Sequence, residues 1–190
     1  MNRLPLPPDD LVLEMEGEIR DVHDYPQAGV VFKDLGRLWS SPELNKRIVR
    51  EACVRYQSNP SGLPDCIVGI ESRGFIYAMA MAIALNVPFI PFRKKGKLPP
   101  PTRSVDYSLE YGQASMECAL EAFPAGSKVL IHDDVLATGG TAGAAAQLVR
   151  KLDAEVWGFS FLLELEFLKG AIKLEREEPH AMLHTYLIIE

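Results

Sequence analysis

No run in this chain is long and apolar enough to cross a bilayer, so no membrane-spanning helix is expected. Met1 to Leu11 carries Pro and Asp where a secretory leader would carry an apolar core, so no leader is expected there. Cysteine is scarce: Cys53, Cys66 and Cys118 are odd in number and far apart. That excludes a disulfide framework and the close spacing of a zinc site, and it leads us to expect buried free thiols in a reducing, cytoplasmic setting. An excess of positive charge is missing too. The formal charge is −6 and the isoelectric point about 5.3, the opposite of a generic nucleic-acid binder. Internal repeats and low-complexity segments are absent.

What is present describes one folded domain. The 190 residues are 47% hydrophobic and 24% charged. Leu11, Val12, Met15, Ile19 and Val22 have helical spacing, so a helix is expected over 11–22. The turn Tyr25-Pro26-Gln27-Ala28-Gly29 follows, then the apolar run Val30-Val31-Phe32. Ser40, Ser41 and Pro42 suit a helix start, and the pattern extends that helix to about Tyr56. Cys66–Ile70 and 87–92 read as buried strands, with a helix over Gly74–Leu85 between them. The stretch 94–106, rich in Pro, Gly and Lys, reads as a long surface loop. Further on, strands are expected over 128–134 and 156–163, a helix over 141–152, and a last strand over Met182–Ile189. Continuous apolar strands alternating with helices predict an α/β fold with a parallel central sheet covered on both faces. Ligands of such folds bind beyond the carboxyl ends of the strands.

The segment 129–141 places chemistry at that position. An apolar strand runs into Asp133 and Asp134; Ala137-Thr138-Gly139-Gly140-Thr141 follows; then an Ala-rich helix begins. Glycines let backbone N–H groups converge on an anion, the helix start adds a positive end, and Thr138 and Thr141 add hydroxyl donors. Two carboxylates, which only accept hydrogen bonds, suit vicinal hydroxyls. No Gly-Lys-Ser/Thr follows, so this is not a P-loop, and the G-x-G-x-x-G dinucleotide fingerprint is absent. The alternative is a capped strand-to-helix turn without a ligand.

Two other segments follow apolar strands. Glu71-Ser72-Arg73-Gly74 sets a guanidinium fork at a helix start, suited either to phosphate or to a surface carboxylate. Arg93-Lys94-Lys95-Gly96-Lys97 concentrates four cations within five positions of an acidic chain. Such runs are ordinarily solvated faces.

Together these blocks resemble the type I phosphoribosyltransferases, over nearly the whole chain from about residue 19. The 129–141 segment resembles their signature for phosphoribosyl pyrophosphate (PRPP). By that resemblance Asp133 and Asp134 hold ribose hydroxyls, and Ala137, Thr138, Gly139, Gly140 and Thr141 hold the 5′-phosphate. Arg73 would meet pyrophosphate, with a non-proline cis peptide between Glu71 and Ser72. Arg93-Lys94-Lys95-Gly96-Lys97-Leu98-Pro99 and Tyr107-Ser108-Leu109-Glu110-Tyr111-Gly112 resemble motifs of the adenine-specific members. There Lys94 and Lys97 face pyrophosphate, Arg93 reaches the partner's PRPP across a homodimer, and Glu110, with Tyr111 beside it, is the catalytic acid/base.

Gly29-Val30-Val31-Phe32-Lys33-Asp34 is similar to their base-binding segment. Val31 and Lys33 would read adenine through the backbone and Phe32 would stack on it, unless Phe32 is simply core; Leu162 or Leu163 would close the opposite wall. The resemblance implies adenine and PRPP as substrates, AMP and pyrophosphate as products, and Mg²⁺ held mainly by PRPP and water. It also implies a small N-terminal hood over about 1–36 and a mobile active-site loop over 93–112. No nucleic-acid or membrane partner is expected. A phosphoribosyltransferase for xanthine or guanine, or a non-catalytic PRPP sensor of the same fold, is the competing reading. Lys33 stands where Arg is frequent, and Pro100 where Gly is usual. His132 interrupts the aliphatic strand; it is expected to be hydrogen-bonded beside the sheet edge.

Overall fold

The computed structural model describes residues 1–109 and 112–190. Its elements, in chain order, are β1 (Asn2–Arg3), α1 (Asp9–Gly17), β2 (Arg20–His23), β3 (Val31–Asp34), α2 (Gly36–Trp39), α3 (Pro42–Gln57), β4 (Cys66–Ile70), α4 (Gly74–Leu85), β5 (Phe89–Lys94), β6 (Thr102–Leu109), β7 (Gly112–Ala119), β8 (Lys128–Leu136), α5 (Gly140–Arg150), β9 (Glu155–Leu165), a 3-10 turn (Glu166–Leu168), α6 (Gly170–Glu177) and β10 (Met182–Ile189). An eight-stranded sheet runs in the order β1-β10-β9-β8-β4-β5-β7-β6. Pairings from β1 through to β5 are parallel, while β5–β7 and β6–β7 are antiparallel.

The sequence dictates the middle of this sheet. All five residues of β4 are buried, as a strand covered on both faces requires. One face packs against α5 and α6 through Val68, Ile131, Ala145, Leu148, Phe159 and Leu174. The other packs against α1, α3 and α4 through Met15, Leu44, Ile48, Ala78, Leu130 and Leu162. Helix α3 starts at Pro42, and the Ser41 hydroxyl accepts from Leu44 N–H at 3.4 Å, an N-cap satisfying an otherwise orphaned donor.

Two expectations need correction. The helix over 11–22 ends at Gly17, and residues 20–23 form β2, paired antiparallel with β3. Gly17 disfavours continuation, and the pairing across the 24–30 turn, a contact outside the local window, takes Val22 into a strand. The loop expected over 94–106 is shorter, because Thr102 onward forms β6, paired with β7 from Thr102↔Ala119 to Leu109↔Gly112. Pro and Gly at 96–101 break the chain, but the alternating stretch behind them finds a cross-strand partner. β1 joins the main sheet beside β10 and α1 buries Leu11 and Met15 in the core, while β2 and β3 form a separate two-stranded sheet.

Candidate active site

Strand β8 lies between β4 and β9 and delivers Asp133 and Asp134 near its carboxyl end. His132, just before them, is fully buried in this interior strand, not beside an edge, and its Nδ1 lies 3.1 Å from Ser160 Oγ on β9. Burial, then the nearby His184, pushes the His132 ring down to about 3, so it is neutral at physiological pH.

Burial, then the charge of Asp134, raises the Asp133 carboxyl well above its ordinary range. Its Oδ1 accepts from the Asp134 N–H at 2.9 Å. Asp134 is also raised by burial, but Arg73 opposes that: Arg73 Nε stands 2.8 Å from Asp134 Oδ2.

Beyond β8 the chain turns through Ala137 and Thr138 into α5. Gly139 sits at φ +75°, a left-handed conformation that glycine adopts without a Cβ penalty. The turn encloses a cup of about 60 Å³ lined by Asp133 and by every residue from Ala137 to Thr141. α5 begins there, so its free N–H groups and positive dipole end point at whatever anion fills the cup. Gly170, at the start of α6, packs directly behind: a Cβ on it would lie 2.2 Å from the Ala137 carbonyl oxygen.

A larger cavity of about 390 Å³ adjoins the cup, lined by Val31, Phe32 and Lys33 of the hood, by Arg73, and by Ala137, Thr138 and Thr141. Phe32 therefore faces a cavity; its ring meets Tyr25 edge-on at 5.3 Å and carries the Arg73 guanidinium at 5.2 Å. A cation held over an aromatic face within about 6 Å is attracted by the ring quadrupole. Lys33 Nζ pairs with Asp21 at 2.7 Å, so its ammonium is engaged inside the hood. Leu162 and Leu163 do not line this cavity. Both are fully buried, Leu162 within the α1–α4 side of the core. Leu165 and Leu168 form the wall instead, because β9 runs two residues further than expected and then bends through the 3-10 turn.

The Glu71–Ser72 peptide is cis, as the resemblance implied. Glu71 then gathers the basic segment. Its carboxylate accepts from Arg93 Nε and Nη2 at 3.3 and 3.2 Å and from Lys94 N–H at 2.9 Å. These contacts, the Arg93 hydrogen bond foremost, hold the Glu71 carboxyl below its ordinary range. Arg93 is thus engaged within its own chain, and it also donates to the Lys97 carbonyl at 3.0 Å. Lys94 and Lys97 expose their side chains beside this loop.

Tyr107 of β6 approaches Thr141 and Asp133; burial first, and also the Asp133 charge, raise its phenol. Glu110 and Tyr111 lie outside the described residues. Leu165, Leu168, Gly170 and Glu117 were given no role by the motifs, and Tyr107 stood in the Tyr107–Gly112 motif without a role of its own.

Residues 41–178 match the family model described as the phosphoribosyl transferase domain. The adenine phosphoribosyltransferase of Trichodesmium erythraeum is 46% identical over 167 residues, covering 86% of this chain and 95% of its own. The crystal structure of adenine phosphoribosyltransferase from Rhodothermus marinus superposes with a TM-score of 0.85 at 41% identity, covering 96% of this chain and 100% of that one. The chain belongs to the adenine phosphoribosyltransferase family. The Saccharomyces cerevisiae enzyme, solved with an imino-altritol bisphosphate and adenine, is also similar, with a TM-score of 0.86 and 37% identity over 93% of this chain and 98% of that one. The expected fold class, an α/β sheet flanked by helices, agrees with these neighbours.

Proposed function

We propose that this chain transfers the 5-phosphoribosyl group of PRPP to adenine, giving AMP and pyrophosphate. One observation carries the reading: the anion cup and the flatter cavity share Val135, Ala137, Thr138 and Thr141. A nucleoside monophosphate needs that juxtaposition, with its phosphate in the cup, its ribose beside Asp133 and Asp134, and its base against Phe32.

The chemistry is displacement at the anomeric carbon. The purine nitrogen forms the new bond as the pyrophosphate oxygen leaves with the bonding pair. Asp133 and Asp134 accept hydrogen bonds from ribose hydroxyls and fix the ring. Backbone N–H groups from Ala137 to Thr141 and the α5 start bind the 5′-phosphate. Arg73, Lys94 and Lys97 stabilise the charge gathering on pyrophosphate, and Arg93 serves the partner's PRPP. Val31 and Lys33 read adenine through the backbone, Phe32 stacks on it, and Leu165 and Leu168 replace Leu162 as the opposing wall. Glu110 acts as acid/base with Tyr111 beside it, and residues 93–112 close over the site to keep water from PRPP.

Asp134 is paired with Arg73 and Glu71 with Arg93, which leaves Asp133, whose carboxyl burial raises, as the carboxylate lining the cup. This fits Mg²⁺ arriving with PRPP, ligated by substrate oxygens and water, where it would neutralise pyrophosphate charge.

The chain acts as a homodimer in this reading. On α4, Ile76, Met79 and Ile83 are 44%, 46% and 73% exposed and recur at helical spacing. An unpaired apolar stripe of this kind suits a self-complementary interface. It lies on the helix that follows the Glu71–Arg73 segment in the chain. Cys53, Cys66 and Cys118 are free and buried, which fits a reducing cytoplasm.

The test is AMP formation from PRPP and magnesium, with adenine, hypoxanthine, guanine and xanthine offered separately. Product from adenine, with little from the others, is expected. Use of an oxopurine alone would overturn the base assignment, and tight PRPP binding without product would favour a sensor.

A further inference from the structure

Glu117 is a buried carboxylate that the reaction chemistry above does not use. It lies on β7, opposite Arg93 of β5 in the strand register, and is only 4% exposed. A buried carboxylate ordinarily pairs with a cation. Three cations stand within the neighbouring 94–98 turn and Arg93 lies opposite, yet among the described residues Glu117 is held by neutral donors. Its Oε1 accepts from two consecutive backbone N–H groups, Lys97 at 2.9 Å and Leu98 at 3.0 Å, and its Oε2 accepts from Thr102 Oγ1 at 3.4 Å. Burial pushes this carboxyl up, but N–H groups of Leu98, Lys97 and Gly96 outweigh it and hold the group below its ordinary range.

Besides Glu117, the turn is held by Lys95 N–H donating to the Ser115 carbonyl at 3.0 Å, Lys97 N–H to the Lys94 carbonyl at 3.3 Å and Arg93 to the Lys97 carbonyl at 3.0 Å, and two features work against these ties. Its charges repel one another, and Gly96 sits at φ +85° with open space around its Cα. Glu71 holds the front of the turn through Lys94 N–H, and Glu117 holds the back through Lys97 and Leu98 N–H. Both carboxylates bind the backbone, which leaves the Lys94 and Lys97 ammonium groups available. Thr102 opens β6, so the same carboxylate also ties the turn to the hairpin leading toward Glu110.

We propose that Glu117 is a positioning residue for the pyrophosphate end of PRPP, holding the backbone of the 94–98 turn so that Lys94 and Lys97 present their ammonium groups to the leaving group. This rests on the reading that these lysines face pyrophosphate. Interactions of preorganised charges depend on their placement, so loss of the clamp acts on pyrophosphate-bearing ligands and spares the base.

The test compares Glu117→Ala, Glu117→Gln and Lys97→Ala in steady-state kinetics, varying PRPP and adenine separately, with pyrophosphate varied in the reverse reaction. Glu117→Ala is expected to raise KM for PRPP and for pyrophosphate about tenfold while KM for adenine stays within about twofold. Glu117→Gln keeps an acceptor oxygen but loses the charge, so a partial rescue to about a threefold rise is expected. A general fold defect would move the adenine KM as well. The proposal is overturned if Glu117→Gln leaves KM for PRPP and pyrophosphate within about 1.5-fold of wild type, or if either variant raises all three KM values together. The Gln variant decides alone if the Ala variant does not fold. If Lys97→Ala also leaves both KM values unchanged, the reading of the turn itself fails. If Lys97→Ala raises them and the Glu117 variants do not, only the role of Glu117 is lost.

Discussion

Gly170 stands well outside the signature segment, yet it should matter as much to PRPP as the residues inside it. An ideal Cβ at this position would lie 2.2 Å from the Ala137 carbonyl oxygen, 2.9 Å from Gly139 N and 2.9 Å from a Leu136 methyl. Relieving the first contact to 3.0 Å, the shortest that real Cβ atoms show, requires about 0.8 Å of movement between α6 and the phosphate turn. The obstruction is backbone, so a side-chain rotation cannot supply that movement. The approach is close from both sides, since a Cβ on Gly139 would in turn lie 2.9 Å from the Gly170 carbonyl oxygen. Misplacing a binding group by about 1 Å can cost on the order of 100-fold in rate. Gly170→Ala is therefore expected to lower kcat/KM for PRPP by about 30- to 100-fold. Overpacking of this kind also costs about 1–3 kcal/mol, and a chain of this length loses about 2–4 °C in Tm per kcal/mol. Steady-state kinetics with varied PRPP and a thermal melt read both effects. A kcat/KM for PRPP within about threefold of wild type, with an unchanged Tm, would refute the claim that α6 supports the phosphate turn.

Other outcomes follow from the same geometry. Asp133 holds its proton more tightly in the folded chain than in the unfolded one, because burial and the Asp134 charge raise it. Stability is therefore lowered as pH rises above the ordinary value of 3.8, and remains lowered at neutrality. Asp133→Asn should gain about 1 kcal/mol at pH 7, seen as a higher Tm that converges with wild type below pH 4, while PRPP binding weakens at least about tenfold. A lower Tm at pH 7 would contradict this account. Phe32→Ala should raise KM for adenine about tenfold and leave KM for PRPP within about twofold; equal effects on both would remove Phe32 from the base site. Ile83→Arg, at the most exposed point of the α4 stripe, should convert a dimer to monomers in sedimentation velocity, and an unaltered dimer would place the interface elsewhere.

Local pattern was enough to read the interior of the fold and the strand-to-helix turn after β8. Cys66–Ile70 and Gly74–Leu85 were legible to the residue, because a strand buried on both faces and an uncharged helix each declare themselves in local composition. The run from Asp133 to Thr141 was legible for a related reason: consecutive residues make the cup, so their spacing along the chain is their spacing in space. Tertiary structure decided whatever depends on a partner far along the chain. Residues 20–23 became a strand because β3 was there to pair with, and β6 formed on β7 in place of a loop. Leu165 and Leu168, not Leu162, line the cavity beside Phe32, since a strand's face depends on its register and on where it ends. Gly170 reaches the Ala137–Thr141 turn, and Glu117 the basic turn, only through packing that no short window contains. Local pattern carries the elements and any site built from one contiguous segment. The supports of that site come from non-local contacts, whose partners are chosen only when the layers close on one another.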